Sequence, residues 1–379
     1  MERQVVHCDL DTFFVSVERL LNSDLNGKPV LIGGGSDRGV VASCSYEARQ
    51  FGVHSAMPMR LARQLCPEAI LVRGDMDQYS KYSSVVTQII SEAAPLVEKA
   101  SIDEHYIDVT GMDRFFGCWK WSQELRQRII RETGLPISFG LSTNKTVSKI
   151  ATGEAKPCGE RQVVSGQEKP FLAPLSIRKI PMIGEKTYLQ LRNMGISTVT
   201  TLQQMPIMTL QRVLGANGVT IWKKANGIDE TPVMPYAERK SISKEHTFGR
   251  DTIDMFRLRN VIHSMVDELA FDLRKGGRLA SSITLKIRYS NFDTHTTQAR
   301  LSYTSSERVL SERAMELFDK LYSRRMLIRL VGVKLSGLVN GSHQVDLFND
   351  TVTDLNLSQA MDKIRHKYGN KSIVRGICF

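Results

Sequence analysis

The chain has 379 residues, a formal net charge of +11, 41% hydrophobic residues and six cysteines. This length allows two or three domains with cores of their own, and no apolar run reaches the roughly 20 residues that a membrane span requires. The cysteines form no C-x-x-C pair and no signal peptide precedes the first strand-like segment, so we expect a cytoplasmic protein with reduced thiols.

The positive charge is concentrated in the second half of the chain. Residues 166–232 contain eight Lys and Arg against four Asp and Glu, and residues 233–341 contain 19 against 12. Segregated positive charge favours a polyanionic partner, and a merely solvated basic surface is the alternative.

The first 165 residues are predicted to mix strands and helices. A short apolar strand leads into Asp9 and Asp11, and helical spacing of apolar residues follows over 12–22. Further strands are predicted at 29–32, 40–43, around 102–107 and at 137–139, and helices around 82–90, 113–133 and 144–155.

The rest of the chain changes character twice. Residues 166–232 predict only short helices with glycine punctuation, and the polar segment 233–241 predicts a linker. Residues 242–341 return to an α+β pattern, and residues 355–370 predict a helix. The strand 283–289 alternates between an apolar face and a face with Thr284, Lys286 and Arg288. That second face is either a phosphate platform or an ordinary solvated surface.

Two pairs of acidic residues suggest metal chemistry. Asp9 and Asp11 are two residues apart, so a regular strand would direct them to one side. Asp103 and Glu104 are neighbours, which can act together only where a strand ends or bulges. Acids on buried strands are unfavourable unless a cation offsets them, and Mg²⁺ prefers oxygen ligands. A two-metal phosphoryl-transfer site is one interpretation, and a set of surface-loop acids is the other.

Four motifs, in order along the chain, resemble those of the Y-family DNA polymerases. They are the opening motif His7–Phe14, the fingers motif Val40–Val53, the catalytic motif Ser101–Glu104 and the late palm motif Ser142–Gly159. The resemblance continues to about residue 340 and is closest to the bacterial polymerase IV type.

The resemblance implies an α+β multidomain fold shaped like a right hand. Its parts would be a palm (1–12 and 75–165), small fingers (13–74), a helical thumb (166–232), a linker (233–241), an α+β little finger (242–341) and a C-terminal tail (342–379).

The resemblance also assigns roles to individual residues. Asp9, Asp103 and Glu104 would be the catalytic metal ligands, assisted by the Leu10 carbonyl, and Asp11 is the weakest candidate ligand. Two Mg²⁺ ions would be bound per active site, for which Mn²⁺ can substitute. Ser43, Tyr46, Arg49 and Lys156 would bind the nucleotide triphosphate. Phe14 would be a steric gate that leaves no room for a 2′-hydroxyl.

Predictions also follow for two turns of the helical segment, for His105 and for the tail peptide. Ile180–Gly184 and Val213–Gly218 resemble helix-hairpin-helix turns that hold DNA phosphates, but Met182 replaces a usual glycine, which leaves phosphate binding at the first turn open. His105 stands where a small or apolar residue is usual, and we expect a neutral, packing side chain that faces outward. The tail peptide resembles a motif that binds the bacterial sliding clamp, through Gln344, Val345, Asp346, Leu347 and Phe348.

The implied function is template-directed, low-fidelity translesion DNA synthesis by nucleotidyl transfer from a dNTP to a primer 3′-hydroxyl. The expected partners are primer–template DNA, dNTPs and a sliding clamp, with the protein acting as a monomer in the bacterial cytoplasm. Two alternatives remain: a polymerase V-type catalytic subunit that needs accessory partners, and a non-catalytic protein that binds DNA or the clamp.

Overall fold

The computed structural model describes residues 2–36, 38–112, 117–235, 238–341, 351–369, 372–373 and 376. The chain divides into two compact units, Met1–Ala237 and Glu238–Phe379. The predicted clamp-binding peptide, residues 344–348, lies outside the described residues. Within those ranges, no helix is both long enough and apolar enough to span a membrane.

A five-stranded sheet forms the centre of the first unit. Its order is β5-β6-β1-β7-β8, with β1 at Val5–Leu10, β5 at Leu96–Lys99, β6 at Glu104–Asp108, β7 at Ile137–Ser142 and β8 at Glu160–Gln162. β1 is antiparallel to both β6 and β7, and β8 is parallel to β7. Alternation along β1 sends Cys8 and Leu10 into the main core, whereas His7 and Asp9 face the opposite side.

Helices cover both faces of this sheet. On the core side lie α1 (Phe13–Leu21), α4 (Met76–Ala93) and α5 (Cys118–Thr133), which share one cluster of buried apolar side chains with β1. On the other face lies α6 (Lys145–Ala155), whose apolar residues Val147, Ile150 and Ala151 belong to a separate core. Lys149 of α6 is therefore placed beside Glu104, and Lys156, which directly follows the helix, is placed beside Asp9.

A smaller three-stranded sheet of order β3-β2-β4 precedes α4. Its strands are β2 (Val30–Gly33), β3 (Val41–Cys44) and β4 (Ile70–Val72), and α2 (Tyr46–Gln50) and α3 (Met59–Leu65) belong to the same segment. The side chain of Ser45 caps α2 by accepting a hydrogen bond from the Ala48 backbone. This cap fixes the start of the short helix that carries Tyr46 and Arg49.

Five short helices complete the first unit, in agreement with the predicted helical segment. They are α7 (Glu168–Leu172), α8 (Glu185–Asn193), α9 (Val199–Gln204), α10 (Ile207–Leu214) and α11 (Ala216–Ala225). Between α7 and α8, the turn at Ile180–Ile183 places Met182 at φ +80°, and Ile183 N donates to Ile180 O at 3.2 Å. Met182 thus adopts a backbone conformation that favours glycine.

The second unit contains an antiparallel sheet of order β11-β10-β12-β9. Its strands are β9 (Ser241–Thr252), β10 (Arg278–Tyr289), β11 (Thr294–Thr304) and β12 (Ile328–Asn340), and its core is shared with α12 (Met255–Lys275) and α13 (Glu307–Leu321). The predicted alternation of β10 is confirmed, because its apolar residues 283, 285, 287 and 289 are all buried and Lys286 and Arg288 lie on the other face.

The last helix, α14 (Thr351–Tyr368), packs onto α12 of the same unit. Arg365 donates to both carboxylate oxygens of Asp267 at 2.8 and 2.6 Å, and both side chains are buried. Arg274 of α12 makes a second bidentate pair with Asp362 at 2.6 and 2.8 Å. The helix predicted at 355–370 is therefore anchored to the second unit by two ion pairs.

Candidate active site

Strand pairing brings the predicted acids together at one end of the five-stranded sheet. Asp9 and Glu104 are directly opposite each other in the β1–β6 register, which places their Cβ atoms about 4.5–5.5 Å apart. The Leu10 N–H donates to the Asp103 carbonyl at 3.1 Å. Because β6 begins at Glu104, Asp103 lies outside the regular strand, and the two neighbours escape strict alternation.

Two lysines pair with these acids. Lys156 Nζ lies 2.5 Å from Asp9 Oδ1, and Lys149 Nζ lies 2.5 and 2.6 Å from the two oxygens of Glu104. Both pairs are partly buried. Lys149 was not among the predicted site residues, and its place in the late palm motif was the only sequence signal that could have pointed to it.

The donor set fits a hard divalent cation. Asp9, Asp103 and Glu104 offer only oxygen atoms, the ligands that Mg²⁺ prefers. No three His, Cys, Asp or Glu side chains of the described ranges converge into a ready-made metal site. Lys156 and Lys149 hold two of the acids, and the Ser101 hydroxyl lies 2.5 Å from Asp103. A metal ion would replace the two ammonium groups as the counter-charge.

The two lysine-paired acids differ in acidity. Burial raises the pKa of Asp9 to about 6, against the opposing influence of Lys156. The pKa of Glu104 is lowered to about 2 by the neighbouring His7 and by Lys149. Since His7 Nε2 is 3.9 Å from Glu104 Oε2, beyond hydrogen-bond distance, we attribute the lower pKa chiefly to the Lys149 ammonium.

His7 lies behind Glu104 and was not predicted. It is almost fully buried, and its Nδ1 lies 2.9 Å from the Thr152 hydroxyl. Burial lowers its pKa to about 4, so the imidazole is neutral at pH 7. Its Nε2 makes no hydrogen bond with any described residue.

His105 is a neutral packing residue, as expected, but the prediction that it faces outward is wrong. Its side chain is fully buried, and Nε2 lies 2.9 Å from the Thr87 hydroxyl of α4. Burial lowers its pKa to about 4. Alternation along β6 places it on the sheet face opposite Glu104, and helix α4 covers that face.

Most of the predicted site residues line a single cleft of about 160 Å³. Its walls include Asp9, Leu10, Phe14, Ser43, Arg49, Asp103 and Lys156. Glu104 and Tyr46 do not line it. The Arg49 guanidinium lies over the Tyr46 ring at 5.0 Å, and burial and the Asp11 carboxylate raise the pKa of the Tyr46 hydroxyl.

Phe14 lines this cleft and is packed against a buried ring. Its ring is stacked on that of Tyr79, with centroids 4.3 Å apart and planes 11° apart. Tyr79 is 1% exposed, and its hydroxyl donates to Glu18 Oε1 at 2.5 Å. The stacking partner was not predicted, because residue 79 is distant from the motif that contains Phe14.

A second, larger cleft adjoins Asp9 and Lys156. It has a volume of about 400 Å³ and lies between α6 and the turn that contains Met182. Its lining includes four cations, Lys149, Lys156, Arg178 and Lys179, with Asp9 as its one acidic residue. Arg178 pairs with Glu185 at 2.7 Å and Lys179 with Glu154 at 2.8 Å. Each of the four cations that line this cleft is thus paired with an acidic side chain.

Comparison with known protein families gives three matches along the chain. The impB/mucB/samB family matches residues 8–153, and the C-terminal domain of the same family matches residues 239–347. The thumb domain of DNA polymerase-iota matches residues 178–229. The three matches follow one another in sequence order.

Individual relatives agree with these matches. DNA polymerase IV of Dehalococcoides mccartyi strain CBDB1 is 39% identical over 378 residues, which is 99% of this chain and 97% of the relative. DNA polymerase IV of Treponema denticola is 37% identical over 88% of this chain and 85% of the relative. Among solved structures, a Y-family DNA polymerase chimera of Dbh and Dpo4 superposes with a TM-score of 0.78 and 27% identity, covering 89% of this chain and 99% of the chimera.

Proposed function

Because this chain belongs to the Y family of DNA polymerases, in the DNA polymerase IV branch, we propose that the cleft beside Asp9 and Asp103 is its site of nucleotidyl transfer. The chain is a translesion DNA polymerase with the right-hand fold, and primer–template DNA and dNTPs are its substrates. Neither alternative function is favoured by the relatives. Catalysis in this family needs divalent metal ions.

Asp9, Asp103, Glu104 and the Leu10 carbonyl are the proposed ligands of two Mg²⁺ ions, for which Mn²⁺ can substitute. When bound, these ions acidify the primer 3′-hydroxyl and neutralise the pyrophosphate that leaves. The three carboxylates supply the negative charge that retains the ions. The observation that carries this proposal is the register of β1 against β6, which puts Asp9 opposite Glu104. Lys149 and Lys156 lie against Glu104 and Asp9 and offset part of their negative charge.

Ser43, Tyr46, Arg49 and Lys156 are proposed to bind the triphosphate. Ser43, Arg49 and Lys156 line the same cleft as Asp9, and Tyr46 lies under the Arg49 guanidinium. A planar guanidinium can hold two phosphate oxygens at once, and an ammonium group acts as a point charge. Phe14, at the edge of the cleft, is the proposed gate against ribonucleotides.

An Arg49→Gln variant tests the triphosphate assignment. Loss of one charge-assisted contact is expected to raise KM for dNTP by roughly 10- to 150-fold, since such a contact contributes about 1.5–3 kcal/mol. The matched control is Arg63→Gln, because Arg63 is an exposed arginine of α3 that does not line the cleft. Equal KM values for the wild type and Arg49→Gln in single-nucleotide insertion would refute the assignment.

The protein is proposed to act as a monomer in the bacterial cytoplasm. Its tail peptide, residues 344–348, is proposed to bind a sliding clamp. The support is the sequence Gln344-Val345-Asp346-Leu347-Phe348 itself. Deleting residues 344–348 should leave clamp-free primer extension unchanged and remove stimulation by the clamp. Stimulation that survives the deletion would contradict the proposal.

A further inference from the structure

The acid of the opening motif that remains unassigned is Asp11, and its surroundings differ from those of Asp9. Its side chain is 1% exposed and does not line the cleft. Strand β1 ends at Leu10 and Thr12 adopts φ +43°, so Asp11 is not held by the strand alternation that places Asp9. It is therefore buried beside the cleft rather than within it.

The Asp11 carboxylate is already occupied by hydrogen bonds. Oδ2 accepts from the Ser138 hydroxyl at 2.7 Å and from the Cys158 backbone N–H at 2.8 Å. Oδ1 accepts from the Tyr46 hydroxyl at 3.2 Å and lies 3.6 Å from Lys156 Nζ. A buried carboxylate with three donors is satisfied, and metal coordination would require it to abandon some of them.

These contacts join three segments that are distant in sequence. Tyr46 comes from α2, Ser138 from β7 and Cys158 from the loop that follows α6. Two of the groups that face Asp11, Tyr46 and Lys156, are among the four proposed triphosphate-binding residues. A carboxylate and a phosphate oxygen are both anionic acceptors, so each can hold the same donors in turn.

We infer that Asp11 is a positioning residue that holds the Tyr46 hydroxyl, beside Lys156, in place for the incoming triphosphate and does not coordinate metal. The buried Asp11 carboxylate offers the Tyr46 hydroxyl an anionic acceptor of the same kind as a phosphate oxygen. When the nucleotide binds, the Tyr46 hydroxyl exchanges the Asp11 carboxylate for a phosphate oxygen. The ordering of the Tyr46 side chain thus precedes binding, which lowers the cost of binding. This inference rests on the proposed function of Tyr46 and Lys156.

A double-mutant cycle tests the inference. The variants are Asp11→Asn, Tyr46→Phe and the double variant, and the measured quantities are kcat and KM for dNTP and the half-saturating Mg²⁺ concentration. Equilibrium dNTP binding in Ca²⁺ gives a readout without turnover, and thermal melting confirms that each variant is folded. The matched control is Asp108→Asn, the same change on β6 at the end of the strand away from Glu104.

Asp11→Asn is expected to raise KM and weaken dNTP binding in Ca²⁺, both roughly tenfold, with little change in kcat or in the Mg²⁺ requirement. In the Tyr46→Phe background, the same change should have much less effect, because the two residues act through one contact. A fall in kcat with a higher Mg²⁺ requirement would identify a metal ligand and overturn the inference. Full additivity of the two substitutions would also overturn it.

Failure of the proposed function gives a different result. If Tyr46→Phe alone leaves KM and dNTP binding unchanged, Tyr46 is not a triphosphate ligand and the basis of the inference is lost. If Tyr46→Phe raises KM but Asp11→Asn does not, the assignment of Tyr46 stands and the role of Asp11 is refuted.

Discussion

Replacing Phe14 with alanine is expected to weaken the exclusion of ribonucleotides. Phe14 lines the cleft and is stacked on Tyr79 at 4.3 Å. Tyr79 cannot retreat, because it is 1% exposed and its hydroxyl is bonded to Glu18. A 2′-hydroxyl that meets the Phe14 ring therefore meets a rigid surface.

The magnitude follows from the cost of overpacking a rigid site. Forcing an extra group into a well-packed environment costs about 1–3 kcal/mol, which corresponds to roughly 5- to 150-fold in rate. We expect Phe14→Ala to lower the ratio of kcat/KM for dNTP to that for rNTP by a factor in this range. The gain should come mainly from faster use of rNTP, because the alanine leaves space for the hydroxyl.

The assay is single-nucleotide insertion with dCTP and with CTP opposite the same template base. Phe171→Ala is the matched control, because Phe171 is a partly buried phenylalanine of α7 that does not line the cleft. The control should lose stability and retain its sugar discrimination. A folded Phe14→Ala protein with the discrimination ratio of the wild type would refute the reasoning.

Three further predictions concern other parts of the molecule. Met182→Gly should raise the free energy of unfolding, measured by urea titration, by about 0.5–1 kcal/mol. A φ of +80° strains a non-glycine residue, and the Met182 side chain is 53% exposed, so its removal costs little packing. An unchanged or lower free energy of unfolding would contradict this prediction. Asp267→Ala should release α14, seen as faster hydrogen exchange in residues 356–368, because a buried Arg365 without its carboxylate costs about 3–5 kcal/mol. The exposed pair of Asp319 with Arg259 supplies the control Asp319→Ala, and protection equal to that of the control would refute the docking role. The half-saturating Mg²⁺ concentration should rise about tenfold for each pH unit below pH 6 and should level off above pH 6. The reason is that protons compete with the metal for Asp9, whose pKa is raised to about 6. A half-saturating concentration that is independent of pH between 5 and 8 would contradict this.

Local patterns predicted much of the fold. The alternation of strand 283–289 was visible in the sequence, and the structure buries the predicted face. Asp103 and Glu104 could act together only if a strand ended or bulged at this pair, and β6 does begin at Glu104. Such features depend on neighbours along the chain, which a sequence displays directly.

Features that depend on tertiary packing could not be predicted in this way. Lys149 meets Glu104 only because α6 lies across one face of the sheet. His105 is buried because α4 covers the other face. The bidentate pair of Arg365 with Asp267 joins residues 98 positions apart, and nothing in the local pattern of either helix indicates the other.

Asp11 shows the same limit within a recognised motif. Its spacing from Asp9 predicted a common side of a strand, but β1 ends at Leu10. The donors that then surround Asp11 come from residues 46, 138 and 158. The family motif could therefore locate the acid without assigning its role.

The most direct test of the central claim is primer extension by Asp103→Ala with Mg²⁺, together with a measurement of DNA binding. Asp103 lines the cleft, whereas Asp108 is at the opposite end of β6, so Asp108→Ala is the control. We expect Asp103→Ala to lose extension while it binds primer–template DNA with an affinity close to that of the wild type, and the control to retain both. Full extension by Asp103→Ala would contradict the assignment of the cleft as the site of nucleotidyl transfer.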